Sequence, residues 1–320
     1  MVKLYTHMAR KLYILGNGFD LAHGLKTKYD FFRDYMQLYH SKFLKKLLVY
    51  YPRLIEDDLW CDFEKELGNL IIPEELTSSF EAPYYASEEY RDNDLQYNRI
   101  TVELELFPVS KSLKEIFLAW IKQADSDPCE PFYKLDSDSV FFSFNYTHTL
   151  ERIYGIQDQH ILHIHNKIGN EIIYGHDYST DKWEKTNLPE YYEVMNQQNV
   201  PNEYISDIDF SIRDGYEALG TFYTKSGKHP EANIANHESF WKKISTVDEI
   251  VVLGTSLANG DEKYIRHIAS CVNLDKVKWI LYFHKENQEQ ELKQKVIQAG
   301  VPEPHLTTYC SKTLQKGAHI

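Results

Sequence analysis

The chain has 320 residues, of which 42% are hydrophobic and 14% aromatic, enough to bury a large core as one α/β domain or as two. Its formal net charge of −13 disfavours a protein that binds nucleic acid through general electrostatics, although it leaves a local basic patch open. The four cysteines form no C-x-x-C pair, so neither a zinc ribbon nor a disulfide framework is indicated, and we predict no zinc. No run approaches the roughly 20 apolar residues of a membrane span, and we expect a cytoplasmic protein without membrane contact.

The first informative stretch, Lys11–Leu25, predicts a strand, a tight turn and a helix. Residues 12–15 are too few for a helix and are followed by a glycine, which favours a buried strand. Gly16 and Gly18 lack a Cβ, so their N–H groups can approach a ligand, and a helix beginning just beyond would point its positive end at a phosphate. The third glycine comes later than in the dinucleotide fingerprint G-x-G-x-x-G. A strand-to-helix turn with Asp20 as the N-cap therefore stays open as the alternative.

Two long segments carry no motif and have a helical pattern. The segment from about 57 to 137 is acidic and is interrupted by prolines, and the segment from about 178 to 247 is polar and aromatic. We predict that both are helical insertions. The first could cover a cleft, and the second serves as scaffold or carries specificity by forming a pocket over the ligand edge of the sheet.

The second informative block runs over residues 140–151. Residues 140–144 form an apolar run of the kind buried in parallel sheets, and Asn145 follows it. Ligand-facing residues of parallel sheets lie at the carboxyl ends of strands, which makes Asn145 a candidate site residue. Alternatively, Thr147 or Thr149 caps the next helix and Asn145 only closes a turn.

A further strand is predicted at 160–164, beside two histidines. Because side chains alternate across a strand, His163 and His165 are predicted on one face. Two histidines on one face suit a metal, but no acidic residue or cysteine lies nearby in sequence to complete a site. One working histidine, with the other as a hydrogen-bonded structural neighbour, is therefore favoured. Residues 171–176 predict another short strand.

The chain then returns to strands separated by helices. Residues 250–253 are predicted as a strand that ends in Gly254, Thr255 and Ser256, which supply N–H and O–H donors without bulk. Strands at 278–283 and 305–309, with a helix between them, continue the alternation. We therefore predict an α/β fold with a Rossmann-like parallel sheet, in which the three strand ends converge on one dinucleotide-sized site.

Four blocks of the sequence resemble a known family. They are GNGFDLAHGL from Gly16, FSFNYT from Phe142, HIHN from His163 and GTSL from Gly254. These blocks resemble the AbiH family of bacterial abortive-infection proteins, which in turn looks similar to the sirtuin fold. The resemblance implies one sirtuin-like α/β domain over residues 1–320, with helical insertions at about 57–137 and 178–247.

The sirtuin resemblance also implies residue roles. Asn145 falls on the asparagine that attends the nicotinamide ribose, and His165 falls on the general-base histidine. The positions implied to bind the nucleotide lie at the glycine turn, where sirtuins cradle the NAD pyrophosphate, or on a nucleotide-contacting loop. They are Gly16, Asn17, Gly18, Asp20, Gly24, Gly254, Thr255 and Ser256.

Three positions depart from the sirtuin pattern. Thr147 stands in place of an aspartate, Asn166 in place of the glycine after the histidine, and Asp20 in place of a small hydroxyl residue. A carboxylate beside a pyrophosphate is repulsive, so Asp20 is expected to bind sugar hydroxyls or to turn aside as a cap. The paired-cysteine zinc module is absent as well. These departures disfavour protein deacylation.

The resemblance implies an enzyme that splits the nicotinamide–ribose bond of NAD and depletes NAD during phage infection. Asn145 would position ribose hydroxyls or water, and His165 would accept a proton. One alternative is a nucleotide-binding sensor that acts through partners without turnover, and another is an ADP-ribosyltransferase. A homo-oligomer and a phage-derived trigger are left open as partners.

Overall fold

The computed structural model describes residues 10–80, 91–136, 138–189, 191, 210–258 and 260–320. The described residues form two compact units. The first draws on the described residues within Met1–Phe31, Ala119–Ile173 and His229–Ile320, and the second on those within Phe32–Leu118 and Tyr174–Lys228. Among the described residues, no helix combines the length and the apolar composition needed to cross a membrane.

Strands and helices alternate in the first unit. The strands are Lys11–Leu15 (β1), Tyr133–Lys134 (β2), Val140–Ser143 (β3), Ile161–His163 (β4), Glu249–Leu253 (β5), Lys278–Phe283 (β6), Leu306–Cys310 (β7) and Ala318–His319 (β8). The α-helices with described bounds are Asn17–Ala22 (α1), Tyr29–Tyr39 (α2), Ser41–Tyr50 (α3), Phe63–Glu66 (α4), Glu74–Thr77 (α5), Tyr97–Ser126 (α6), Thr149–Tyr154 (α7), Thr180–Asn187 (α8), Phe210–Lys225 (α9), Pro230–Ala235 (α10), Glu238–Ile244 (α11), Asp261–Cys271 (α12) and Glu286–Gln298 (α13). Short 3₁₀ helices are Pro52–Ile55, Asp57–Asp62, Leu67–Asn69, Asp92–Gln96, Asp158–His160, Glu303–His305 and Ser311–Thr313.

Six strands form one parallel sheet in the order β4-β3-β1-β5-β6-β7. Alternate residues of β1 enter different cores: Leu12 and Ile14 pack in one cluster, and Tyr13 and Leu15 pack in the other. Both faces of the sheet are therefore buried, which is why its strands are continuous apolar runs. The structure confirms the predicted α/β fold with a Rossmann-like parallel sheet, and each of the six strands lies within a residue or two of its predicted bounds.

The order of the strands fixes where a ligand crevice lies. From β1 the sheet grows through β3 and β4 on one side, and then through β5, β6 and β7 on the other. The direction of growth reverses between β1 and β5. Ligands of open α/β sheets bind outside the carboxyl ends of the strands at such a switch point. The turns that follow Leu15 and Leu253 are therefore the expected place for a site.

The prediction of a short strand at 171–176 is wrong. Residues 171–174 form no strand, because this segment folds back on the turn that follows β4. The Asn166 side chain donates to the carbonyl of Glu171 at 2.7 Å, and the N–H of Ile173 donates to the carbonyl of His165 at 2.9 Å. These local bonds take the partners that a sheet ladder would need.

The described elements of the second unit are helical. Its core contains a cluster of aromatic rings, in which the centroid of Phe32 lies 5.3 Å from those of Phe63 and Phe117. Buried Lys228 pairs with buried Glu64. The second unit overlaps the segments predicted as insertions, but Ala119–Ile173 and the residues from His229 onward belong to the first unit.

Candidate functional site

The glycine turn after β1 packs directly on the turn after β5. Gly16 donates its N–H to the carbonyl of Leu253 at 3.0 Å, and Gly18 donates to that of Gly254 at 2.7 Å. A Cβ on Gly18 would lie 2.6 Å from the Cα of Gly254, and one on Gly16 would lie 2.6 Å from the Cβ of Thr255. The missing Cβ atoms let two strand ends approach each other. Both N–H groups are thus bonded to protein carbonyls.

The loop from Gly254 to Leu257 has a fixed shape. Gly254 has a φ of +74°, and a Cβ there would lie 2.4 Å from the backbone nitrogen of Phe19, so only glycine fits. The Thr255 hydroxyl accepts the N–H of Leu257 at 3.0 Å, and Lys295 of α13 donates to the carbonyl of Ser256 at 2.8 Å. The loop is therefore held from within and from the neighbouring helix.

A cavity of about 640 Å³ opens at the carboxyl ends of β1, β5 and β6. This volume lies within the range of small-molecule and cofactor sites. Four of the predicted nucleotide-binding residues line it, namely Gly18, Gly254, Thr255 and Ser256. The cavity therefore occupies the switch point of the sheet.

Part of the cavity lining is aromatic. Its rings are those of Phe132, Tyr133, Tyr282 and Phe283. Tyr133 stacks on Phe19 of α1 with a centroid distance of 5.8 Å, and burial raises the pKa of its hydroxyl to about 12. Rings of this kind provide a surface for a flat heteroaromatic ligand.

The mouth of the cavity is cationic. Lys28, Lys285 and Lys312 line it and are exposed. Burial, and then the positive charges of these three lysines, lower the pKa of the His284 imidazole, which lines the same mouth. Among the described residues of the lining, the one carboxylate is that of Glu291, which pairs with Lys295 at 2.7 Å.

These cations are functional candidates that sequence reasoning missed. Lys28 follows Thr27, whose hydroxyl and carbonyl both bind the Asn17 side chain, at 2.5 and 2.9 Å. Asn17 thus anchors the segment that carries Lys28, and it is not among the residues that line the cavity. The available signal was the polar pair His284–Lys285, which directly follows the β6 strand.

Asp20 lies in a buried polar cluster instead of the cavity lining. Its side chain is 1% exposed, and the hydroxyls of Thr147 and Thr149 each donate to its carboxylate at 2.7 Å. Burial raises the pKa of Asp20 to about 6, although the two threonine hydrogen bonds oppose that shift. Asp20 therefore joins the turn after β1 to the turn after β3.

Gly24 ends the first helix. Its φ is +80°, its N–H donates to the carbonyl of Leu21 at 3.0 Å, and a Cβ added to it would meet no atom within 4 Å. A left-handed glycine just past a helix end satisfies a terminal carbonyl. The structure therefore gives Gly24 a helix-ending geometry and does not bring it to the cavity.

Asn145 contacts the glycine turn from the other side. Its side chain is 7% exposed and donates to the carbonyl of Gly16 at 3.1 Å. Its own carbonyl accepts from His163 Nδ1 at 2.9 Å, and His163 Nε2 lies 3.1 Å from Glu151. Burial raises the pKa of the Glu151 carboxyl, but hydrogen bonds from His163 and Lys167 outweigh it and lower that pKa to about 2.

His165 lies in aromatic surroundings. Its side chain is 3% exposed, and its ring centroid lies 5.7 Å from that of Phe144, 5.9 Å from Tyr264 and 6.1 Å from Tyr146. His163, by contrast, faces oxygen acceptors. Strand β4 ends at His163, so the alternation that predicted a shared face stops there. Neither Asn145 nor His165 lines the cavity described above.

Metal-ligating side chains do not cluster in the part of the chain that the structure describes. No group of three or more His, Cys, Asp or Glu residues there has the arrangement to hold a metal ion.

A parallel six-stranded sheet with a cavity at its switch point defines a Rossmann-like α/β protein. The chain belongs to the AbiH family, described as bacteriophage abortive infection AbiH, whose family model matches residues 12–283. The match confirms the resemblance seen in the four sequence blocks, all of which lie within it. A search of curated proteins and a search of solved structures each found no match.

Proposed function

We propose that this abortive-infection protein binds NAD or a related nucleotide in the cavity at the switch point of its sheet. The observation that carries the proposal is the position of the cavity, at the carboxyl ends of β1, β5 and β6 and against the two packed glycine turns. Sheets of this type bind nucleotides at that place.

The lining of the cavity supports the same ligand class. Phe132, Tyr133 and their neighbours offer a ring-stacking surface for a base, while the lysines at the mouth attract phosphate. Thr255 and Ser256 also line the cavity, in a loop held by Lys295, and they add hydroxyl and backbone donors. A basic mouth in a chain of net charge −13 concentrates anions at one place.

Hydrolysis of the nicotinamide–ribose bond is the second candidate function. The hydrogen bond from Asn145 to Gly16 favours it, because Gly16 belongs to the turn whose Gly18 lines the cavity. In this reaction water attacks the ribose carbon, the carbon–nitrogen bond breaks, and nicotinamide leaves with the electron pair. His165 would take the proton from water as the general base, and its ring is held between those of Phe144 and Tyr146.

A paired exchange also supports the sirtuin-like interpretation. That pattern has a hydroxyl at position 20 and a carboxylate at position 147, whereas this chain has Asp20 and Thr147. The two side chains bond to each other at 2.7 Å. The chain thus keeps one hydroxyl and one carboxylate at this place, with their positions exchanged.

The sensor interpretation predicts binding without turnover, and it is favoured by the positions of Asn145 and His165 outside the described cavity lining. Purified protein should be incubated with NAD while bound nucleotide and free nicotinamide are both measured. If the protein is an enzyme, nicotinamide is released, and His165→Phe abolishes release while preserving NAD binding. That variant keeps a ring among Phe144, Tyr146 and Tyr264, and exposed His319 provides the matched control His319→Phe.

Each result assigns a function. Binding without nicotinamide release favours the sensor. Release with ADP-ribose retained on a macromolecule favours the transferase. Undiminished release by His165→Phe shows that His165 is not the base. A protein that binds no nucleotide contradicts the proposal as a whole.

A further inference from the structure

The cavity mouth has more positive charge than the pyrophosphate of NAD can neutralise. Lys28, Lys285 and Lys312 all line it, and within the part of the chain that the structure describes none of the three is in a salt bridge. The only carboxylate among the lining residues that the structure describes, that of Glu291, is already paired with Lys295. Three like charges at one mouth repel each other, so their arrangement favours an anion that neutralises them.

The lysines of the mouth come from three separate parts of the chain. Asn17 anchors the segment before Lys28 through Thr27. Lys285 precedes α13, and its N–H donates to the side chain of Gln288 at 3.0 Å. Lys312 lies in the 3₁₀ turn Ser311–Thr313, and the Ser311 hydroxyl lies 3.4 Å from His284 Nδ1. The three ammonium groups are thus brought to one place by a structured mouth.

Candidate nucleotides differ in the negative charge of their phosphate groups. The pyrophosphate of NAD has two negative charges and no terminal phosphate. A terminal phosphate, such as the 2′-phosphate of NADP or the last phosphate of ATP, adds about 1.5 to 2 negative charges and three acceptor oxygens at neutral pH. Lysine binds such a group as a point charge, without the fixed geometry that arginine demands.

We infer that the cavity takes a nucleotide bearing a terminal phosphate, which Lys28, Lys285 and Lys312 hold at its mouth while the base lies against the aromatic part of the lining. This inference rests on the proposed function, because it specifies the nucleotide that the same cavity binds. It separates NADP and ATP from NAD as ligands.

The test compares the affinities of purified protein for NAD, NADP, ATP and inorganic tripolyphosphate by calorimetry at one ionic strength. We expect NADP or ATP to bind at least about tenfold more tightly than NAD, which corresponds to about 1.4 kcal/mol. Added salt should reduce this preference, because the lysines are exposed and their charges are screened. Whichever of NADP and ATP binds more tightly identifies where the terminal phosphate sits on the nucleotide.

The double variant Lys285→Gln/Lys312→Gln should bring the affinity ratio close to one. The matched control is Lys276→Gln/Lys278→Gln, which removes the same two charges from exposed positions at the amino end of β6, the end opposite the cavity. The control should keep the preference of the parent. All of these lysines are exposed, so the variants are expected to keep the unfolding temperature of the parent.

Failure of this inference differs from failure of the proposed function. If NAD binds as tightly as NADP and ATP, or if the double variant keeps the preference, the inference is overturned while nucleotide binding stands. If tripolyphosphate binds and no nucleotide does, the mouth is an anion site alone and both proposals are overturned. If nothing binds, both are likewise overturned.

Discussion

The buried carboxylate of Asp20 gives the protein a specific dependence of stability on pH. Burial raises the pKa of Asp20 from its ordinary value of 3.8 to about 6, against the hydrogen bonds from Thr147 and Thr149. Between these two values the folded state binds more protons at this site than the unfolded state does. The free energy of unfolding therefore falls as pH rises through this window. The stabilising contribution of protonated Asp20 is complete below 3.8 and is lost as pH passes about 6.

The size of the effect follows from the two pKa values. The full difference corresponds to about 3 kcal/mol, because one pKa unit corresponds to about 1.36 kcal/mol. From about pH 4 to about pH 7.5 the expected loss is about 2.5 kcal/mol. It is smaller than the full difference because part of the contribution is already lost below about pH 4. Other carboxylates also titrate, so the quantity to measure is the difference between the parent and Asp20→Asn, which cannot ionise at this position.

Denaturant unfolding followed by tryptophan fluorescence at a series of pH values gives that difference. We expect the free energy of unfolding of the parent, relative to Asp20→Asn, to fall by about 2.5 kcal/mol from about pH 4 to about pH 7.5. The matched control, Asp275→Asn, makes the same substitution at an exposed position outside the buried cluster and should not reproduce this fall. If the difference for Asp20→Asn is flat with pH, or rises with pH, the raised pKa assigned to buried Asp20 is refuted.

Three other substitutions test the roles given to residues of the first unit. Gly18→Val should lower the free energy of unfolding by several kcal/mol, because its Cβ meets the Cα of Gly254; an unchanged thermal midpoint contradicts that packing. Gly24→Ala should cost about 1 kcal/mol through its positive φ and leave nucleotide affinity unchanged, and a loss of affinity in calorimetry would place Gly24 at the ligand. His163→Ala should lower stability by about 2 kcal/mol, because Glu151 loses a buried partner, with little change in nucleotide affinity; the opposite pattern would assign His163 to the binding site.

The sheet could be predicted from the sequence because each strand is a short apolar run buried on both faces. Leu12, Ile14 and their neighbours are almost fully buried, so the run alone indicates a strand of a parallel sheet. The carboxyl ends of the strands then identify one edge as the place for a site. This reasoning identified Gly18 and the loop from Gly254 to Ser256, which line the cavity in the structure.

The partners of the glycines could not be predicted from the sequence. The pattern explains why Gly16 and Gly18 lack side chains, but an approaching ligand and an approaching backbone impose the same requirement. In the folded chain it is the backbone at Gly254 that approaches. Which of the two approaches the glycines depends on the order of the strands in the sheet. A local sequence pattern does not contain that order.

The cations were missed for a related reason. Lys28, Lys285 and Lys312 come from distant segments, and each is an ordinary surface lysine in its own sequence context. Only the sheet order brings the turns that carry them together. The two histidines show the reverse case, since alternation predicted a shared face for His163 and His165 but the strand ends at His163.

The most direct test of nucleotide binding at the switch point is a crystal structure of the protein grown with the nucleotide that binds it most tightly. We predict that the nucleotide lies in the cavity beside Gly18 and Thr255, with its base against the ring of Tyr133 and its phosphates toward Lys285. A nucleotide bound at any other place, with this cavity left to solvent, would contradict the account.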